Sequence, residues 1–147
     1  MRVIRNKRAM PPVALPGRVK VGFPAGKSDG DVIAKAIWTH FGTAGGASGG
    51  GWGGPVPARP FLANAMRDNN RAYHAQMKTA AVSIFEGRMT VDAALRRLGG
   101  LAGADVEESI VSLRTPPNSA LTISLKGSDN PLVDTGEMQQ SVRWDVE

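Results

Sequence analysis

The chain has 147 residues, no cysteine and a formal charge of +5. The missing cysteine excludes a disulfide scaffold, a thiol nucleophile and a thiolate metal site, and no apolar run is long enough to span a bilayer. Hydrophobic residues make up 41% and aromatic residues 5%, which suits one domain with a thin core.

The charge is unevenly placed. Residues 1–28 hold seven basic side chains (Arg2, Arg5, Lys7, Arg8, Arg18, Lys20, Lys27) and no acid, whereas the other 119 residues hold 11 basic and 13 acidic ones. Residues 1–17 read as a basic, Pro-rich extended arm, because Pro11, Pro12, Pro16 and Gly17 forbid a helix. The arm has no apolar stretch of the secretory kind, so synthesis in the cytoplasm is expected. Its chemistry suits nucleic-acid phosphates or an acidic protein surface.

Residues 18–147 read as a single α+β domain. Arg18 to Phe23 alternates, with Val19, Val21 and Phe23 on one side, which predicts a strand. Asp31 is the expected cap of a short helix or extended segment over residues 32–41, with Val32, Ile33, Ala36, Ile37 and His40 or Phe41 at helical spacing. Residues 42–54 hold eight glycines in thirteen positions, a composition that predicts a flexible loop. Pro55 to Pro60 is stiff and extended, and Pro60 suits a first helical turn.

One long amphipathic helix is predicted from there to Gly87. Its apolar stripe is Leu62, Met66, Asn69, Tyr73, Met77, Ala80, Ala81 and Ile84, with Phe61 as anchor. Thr90 should cap a short helix ending at Gly99-Gly100, and a third helix should run from Leu101 to Leu113, with Val106, Ile110 and Leu113 inward. Residues 118–134 read as a polar loop and residues 135–140 as one helical turn. Ser141 to Val146 alternates again and predicts a terminal strand. Two strands alone are marginal in water, so helices, an unseen strand or another subunit must cover them.

No constellation of catalytic or metal-ligating residues stands out. His40 and His74 have no partner at ligand spacing. Asp105, Glu107 and Glu108 are read as acids favouring the start of the third helix. Gly26-Lys27-Ser28 lacks the upstream glycine of a phosphate-binding loop, and Ala47-Ser48-Gly49 sits in flexible sequence without a nucleophile elbow. The expectation is a protein without enzymatic activity or cofactor.

Two blocks carry a resemblance. Phe41-Gly42-Thr43, followed after the loop by Val56-Pro57-Ala58-Arg59-Pro60-Phe61-Leu62, looks like the first core block of the virion morphogenesis, neck and tail-completion proteins of tailed bacteriophages. Lys126-Gly127-Ser128, then Asn130-Pro131-Leu132-Val133-Asp134-Thr135-Gly136, then Ser141-Val142-Arg143-Trp144, is similar to that family's second block. Pro117-Asn118-Ser119 with Thr122-Ile123 is similar to the approach to it. The order is the same from about residue 18 onward, whereas the basic arm lies outside the pattern and the glycine loop is longer.

The resemblance implies a structural virion protein of the neck, joining capsid portal to tail, in a homo-oligomeric ring of sixfold or twelvefold symmetry. Adjoining portal, adaptor and tail proteins would be its partners, with contact to packaged DNA and none to membrane. Arg2, Arg5, Lys7, Arg8 and Arg59 are the candidate partner contacts. Phe41, Gly42, Pro57, Pro60, Phe61, Pro131, Leu132, Asp134, Thr135 and Gly136 are read as structural. The alternative is a DNA-binding accessory protein acting through the arm.

Overall fold

The computed structural model describes residues 17–44, 55–133 and 135–147. Among these lie six helices and one two-stranded antiparallel sheet, an α+β architecture. The arm up to residue 16 and residues 45–54 of the glycine-rich stretch lie outside the described residues.

Both predicted strands form. β1 (Val19–Gly22) pairs with β2 (Arg143–Val146), placing Val19 opposite Val146 and Val21 opposite Trp144. Arg18 and Glu147 add one reciprocal backbone pair, at 2.8 and 3.0 Å. The period of two puts Val19, Val21, Trp144 and Val146 on one face, where β-branched side chains suit the pleat. The other face carries charge: Lys20 reaches Glu147 at 2.7 Å and Lys27 reaches Asp145 at 2.6 Å. These groups are more than half exposed, so water screens them and the ladder with its covered face holds the strands.

The cover is a helix. α4 (Val91–Ser112) packs under both strands. Thr90 caps it by accepting the Ala93 N–H at 3.2 Å, with Asp92 in the first turn. The expected helix end at Gly99-Gly100 is overturned, because a single helix of 22 residues runs through both glycines. Trp144 is the reason. A Cβ at Gly99 would stand 2.5 Å from Trp144 Cε3, and one at Gly103 would stand 3.0 Å from Cδ1. Glycines one turn apart let the indole lie against the helix backbone.

Gly99 and Gly100 should therefore respond oppositely to alanine. A Cβ at Gly100 meets nothing within 4 Å, so Gly100→Ala should gain about 0.5–1 kcal/mol from helix propensity. Gly99→Ala should lose about 1–2 kcal/mol net, since the indole must move. Urea titration of both variants is the check, and a gain at both positions would mean that the indole yields freely.

α4 also carries the core. Val106 and Ile110 are fully buried with Phe61 and Ala65 of α2 (Phe61–Asp68), and Ala36, Leu132 and Val142 complete the cluster. α1 (Gly30–Phe41) adds Val32 and Ala36 as its buried face. Its cap is Asp29, which accepts the Asp31 N–H at 2.8 Å, two residues before the expected position. Ile37, expected inward, is exposed, and of the alternatives His40 and Phe41 it is His40 that turns in against Phe61 while Phe41 is exposed.

The long helix expected up to Gly87 is divided. α2 ends at Asp68, and after Asn69 α3 (Asn70–Phe85) starts afresh. The Asn69 side chain donates to Ala65 O at 3.1 Å, where its own backbone N–H also points. Such local amide bonding competes with helix continuation. α3 buries none of its residues, so Met77 and Ala81 of the expected stripe stand exposed. Asp105, Glu107 and Glu108 now fall in the C-terminal third of α4, far from its N-terminus. Asp105 instead accepts the Tyr73 hydroxyl at 2.7 Å, and burial together with that carboxylate pushes the phenol's pKa well above its ordinary value.

After α4 the chain passes a cis Thr115–Pro116 bond. The stretch 118–134, expected as a loop, holds a helix, α5 (Ala120–Lys126). Ser119 caps it by accepting the Thr122 N–H at 3.2 Å, and Gly127, at φ 68°, stops it. The polar flanks concealed seven helix-compatible residues between a cap and a stop. The predicted turn near residue 137 is α6 (Glu137–Gln140), entered through Gly136 at φ 78°. Among the described residues no helix is long and apolar enough to cross a membrane.

Candidate assembly surfaces

The first resemblance block is an extended approach to α2. Thr43 donates to Val56 O at 2.9 Å, and Arg59 N–H donates to Thr39 O at 2.8 Å, closing the base of the glycine-rich stretch. Gly42 is required there twice over. Its φ is 76°, and a Cβ would stand 2.8 Å from both Ala58 N and Val56 O. Pro57 is exposed and Pro60 half-buried immediately before α2. Phe61 follows at 1% exposure.

Arg59 is 5% exposed. Its Nε donates to Pro116 O at 2.8 Å, and Nη2 donates to Pro117 O at 3.0 Å and to the Asn118 side-chain oxygen at 3.4 Å. These acceptors are neutral, so carbonyl and amide dipoles hold the charge, and burial draws its pKa below the ordinary arginine value. Asn118 in turn donates to Asn130 O at 3.2 Å, and Asn130 Oδ1 accepts the Leu132 and Val133 N–H groups at 3.1 and 3.3 Å. Lys126 adds bonds to Asn130 O and Val133 O at 3.1 and 3.0 Å.

One hydrogen-bonded bracket thus joins the two resemblance blocks, with Pro131 and Leu132 buried behind it. Arg59, expected to reach a partner, has its guanidinium turned into its own subunit. Thr135 accepts the Glu137 N–H at 3.4 Å. Asp134, Arg2, Arg5, Lys7 and Arg8 lie outside the described residues.

His40 packs edge-on against Phe61, with ring centroids 5.3 Å apart at 86°, and Phe23 meets Phe61 at 6.1 Å and 81°. The His40 Nδ1 is buried without a hydrogen-bond partner. Burial lowers the His40 pKa from its ordinary 6.5. The unfolded chain therefore takes up this proton first as pH falls. Stability should be full above pH 6.5 and fall as pH drops through that value. Urea midpoints from pH 8 to pH 5 should show this decline, and His40→Gln should flatten it. His74 is exposed on α3.

Among the described residues no group of three or more His, Asp or Glu could hold a metal ion. The surface is instead distinguished by apolar side chains. On α1, Ile37, Trp38 and Phe41 stand together, Phe41 at 74% exposure. On α5, Leu121 and Leu125 stand one turn apart, Leu125 at 79%. Sequence reasoning missed both surfaces. The available signal was α1 itself, where Val32 and Ala36 already make a buried face and leave Ile37, Trp38 and Phe41 over. No family model, curated protein or solved structure matches this chain.

Proposed function

We propose that this chain is a structural virion protein of a tailed bacteriophage, a neck or head–tail connector subunit closing into a sixfold or twelvefold ring between the capsid portal and the tail. The observation that carries this reading is the bracket. Arg59 and Asn130 are linked through Asn118, and Phe61 and Leu132 share one core cluster, so residues that carry the resemblance join the two blocks. The resemblance therefore falls on residues that define a fold rather than on a scatter of surface positions. The exposed apolar sets on α1 and α5 lend support, since such patches mark contact surfaces. Two different patches on one subunit suit head-to-tail contacts, which close into rings. The reading assigns no catalysis and no cofactor, and places the protein in the virion.

Native mass spectrometry and averaged electron micrographs of the purified chain test the ring. Trp38→Glu with Phe41→Glu should leave the circular dichroism spectrum unchanged and convert rings to single subunits. A chain that stays monomeric at all concentrations, and binds duplex DNA with steep salt dependence, would favour a DNA-binding accessory protein acting through Arg2, Arg5, Lys7 and Arg8.

A further inference from the structure

α3 and α4 form an antiparallel hairpin joined through residues 86–90. The two helices leave between them a groove of about 380 Å³, lined by Met77, Ala80, Met89, Leu95, Leu98 and Leu101 among others. The α3 wall has no fully buried residue, so α4 covers its apolar stripe only in part. We propose that this groove seats residues 10–16 of the same chain, the apolar half of the arm.

The point of attachment argues for that occupant. Gly17 lies against the Leu95 side chain, and Leu95 lines the groove. Downstream, Val19 and Val21 share a second groove with Leu98 and Ala102. Contact therefore climbs α4 as the chain runs from Gly17 into β1. Beyond Leu95 the groove continues this line toward Ala94 and Met89, within reach of the residues that precede Gly17. Reach is ample: six residues in a polyproline conformation span about 19 Å, whereas Leu95 to Val91 is about 6 Å of helix.

The chemistry matches. Met10-Pro11-Pro12-Val13-Ala14-Leu15-Pro16 carries no charge, and the four bases of the arm all precede it. Its prolines restrict the unbound chain, which reduces the entropy lost on seating. Met77 and Met89 on the walls can adjust to an irregular apolar ligand. Seated this way, the arm delivers Arg2, Arg5, Lys7 and Arg8 to the turn end of the hairpin as an anchored basic cluster. This placement does not depend on the subunit forming a ring.

The absence of cysteine makes the test direct. In the full chain, Val13→Cys with Ala80→Cys is treated with a short bismaleimide, and Val13→Cys with Leu125→Cys serves as the control. Ser83→Cys, also on the groove wall, replaces Ala80→Cys in a second pair in case the first variant folds poorly. Both groove pairs should link within one chain at least about tenfold faster than the control, through the raised effective concentration. Equal rates for groove and control pairs overturn the proposal. Linkage between two chains that rises with protein concentration also overturns it, by assigning the groove to the arm of a neighbour.

Discussion

Phe61→Ala should lower the stability of the subunit by about 3–5 kcal/mol, the range for deleting a buried aromatic ring. The ring is 1% exposed and fills the space between Val106, Ile110, Ala65 and Ala36. Phe23 and His40 both meet it edge-on, an arrangement that adds to area burial. The surroundings have little freedom to collapse into the gap. Ser109 Oγ donates to Phe61 O at 2.8 Å and ties the start of α2 to α4, while the Arg59 bonds hold the residue before Pro60 in place. Much of the cavity should therefore persist. Phe61→Leu, which keeps most of the volume, should lose less than half as much. Urea titration by circular dichroism reads both, and a midpoint unchanged in Phe61→Ala would mean that the ring is not the anchor of α2.

The parts of the fold that were legible are those decided by neighbours in sequence. Val19 and Val21, and Val142, Trp144 and Val146, alternate because one sheet face is covered, and both strands form where that pattern lies. Phe61 after Pro60 was legible as an anchor for the same local reason. Misreadings occur where a distant residue decides. Gly99-Gly100 reads as a helix stop on propensity, and only Trp144, more than forty positions later, makes glycine the residue that continuation under the sheet needs. Asn69 sat in an apolar stripe by spacing, yet its amide reaches back to Ala65 O and divides the helix. Ile37 and Phe41 obey helical spacing as well as Ala36 does; periodicity marks an apolar surface and does not say whether the same chain covers it. Arg59 was the least legible, because an arginine five residues after a glycine-rich stretch carries no mark of burial.

Arg59→Met should cost about 2–3 kcal/mol, from the loss of charge-assisted hydrogen bonds partly offset by relief of charge burial. Methionine keeps much of the aliphatic stem, so the packing of residues 57–61 changes little. What disappears is the fork: Pro116 O and Pro117 O lose their donors at 2.8 and 3.0 Å, and the Asn118 side chain loses its link to the first block. Arg59→Lys separates charge from geometry. A lysine ammonium is a single point of donation and cannot span two carbonyls from the Nε and Nη2 positions. Stability should therefore rank native chain, then Arg59→Lys, then Arg59→Met. If Arg59→Met proved as stable as the native chain, the buried charge would be a burden that the carbonyls merely tolerate. The bracket joining the two blocks would then hold through Asn118 and Asn130 alone.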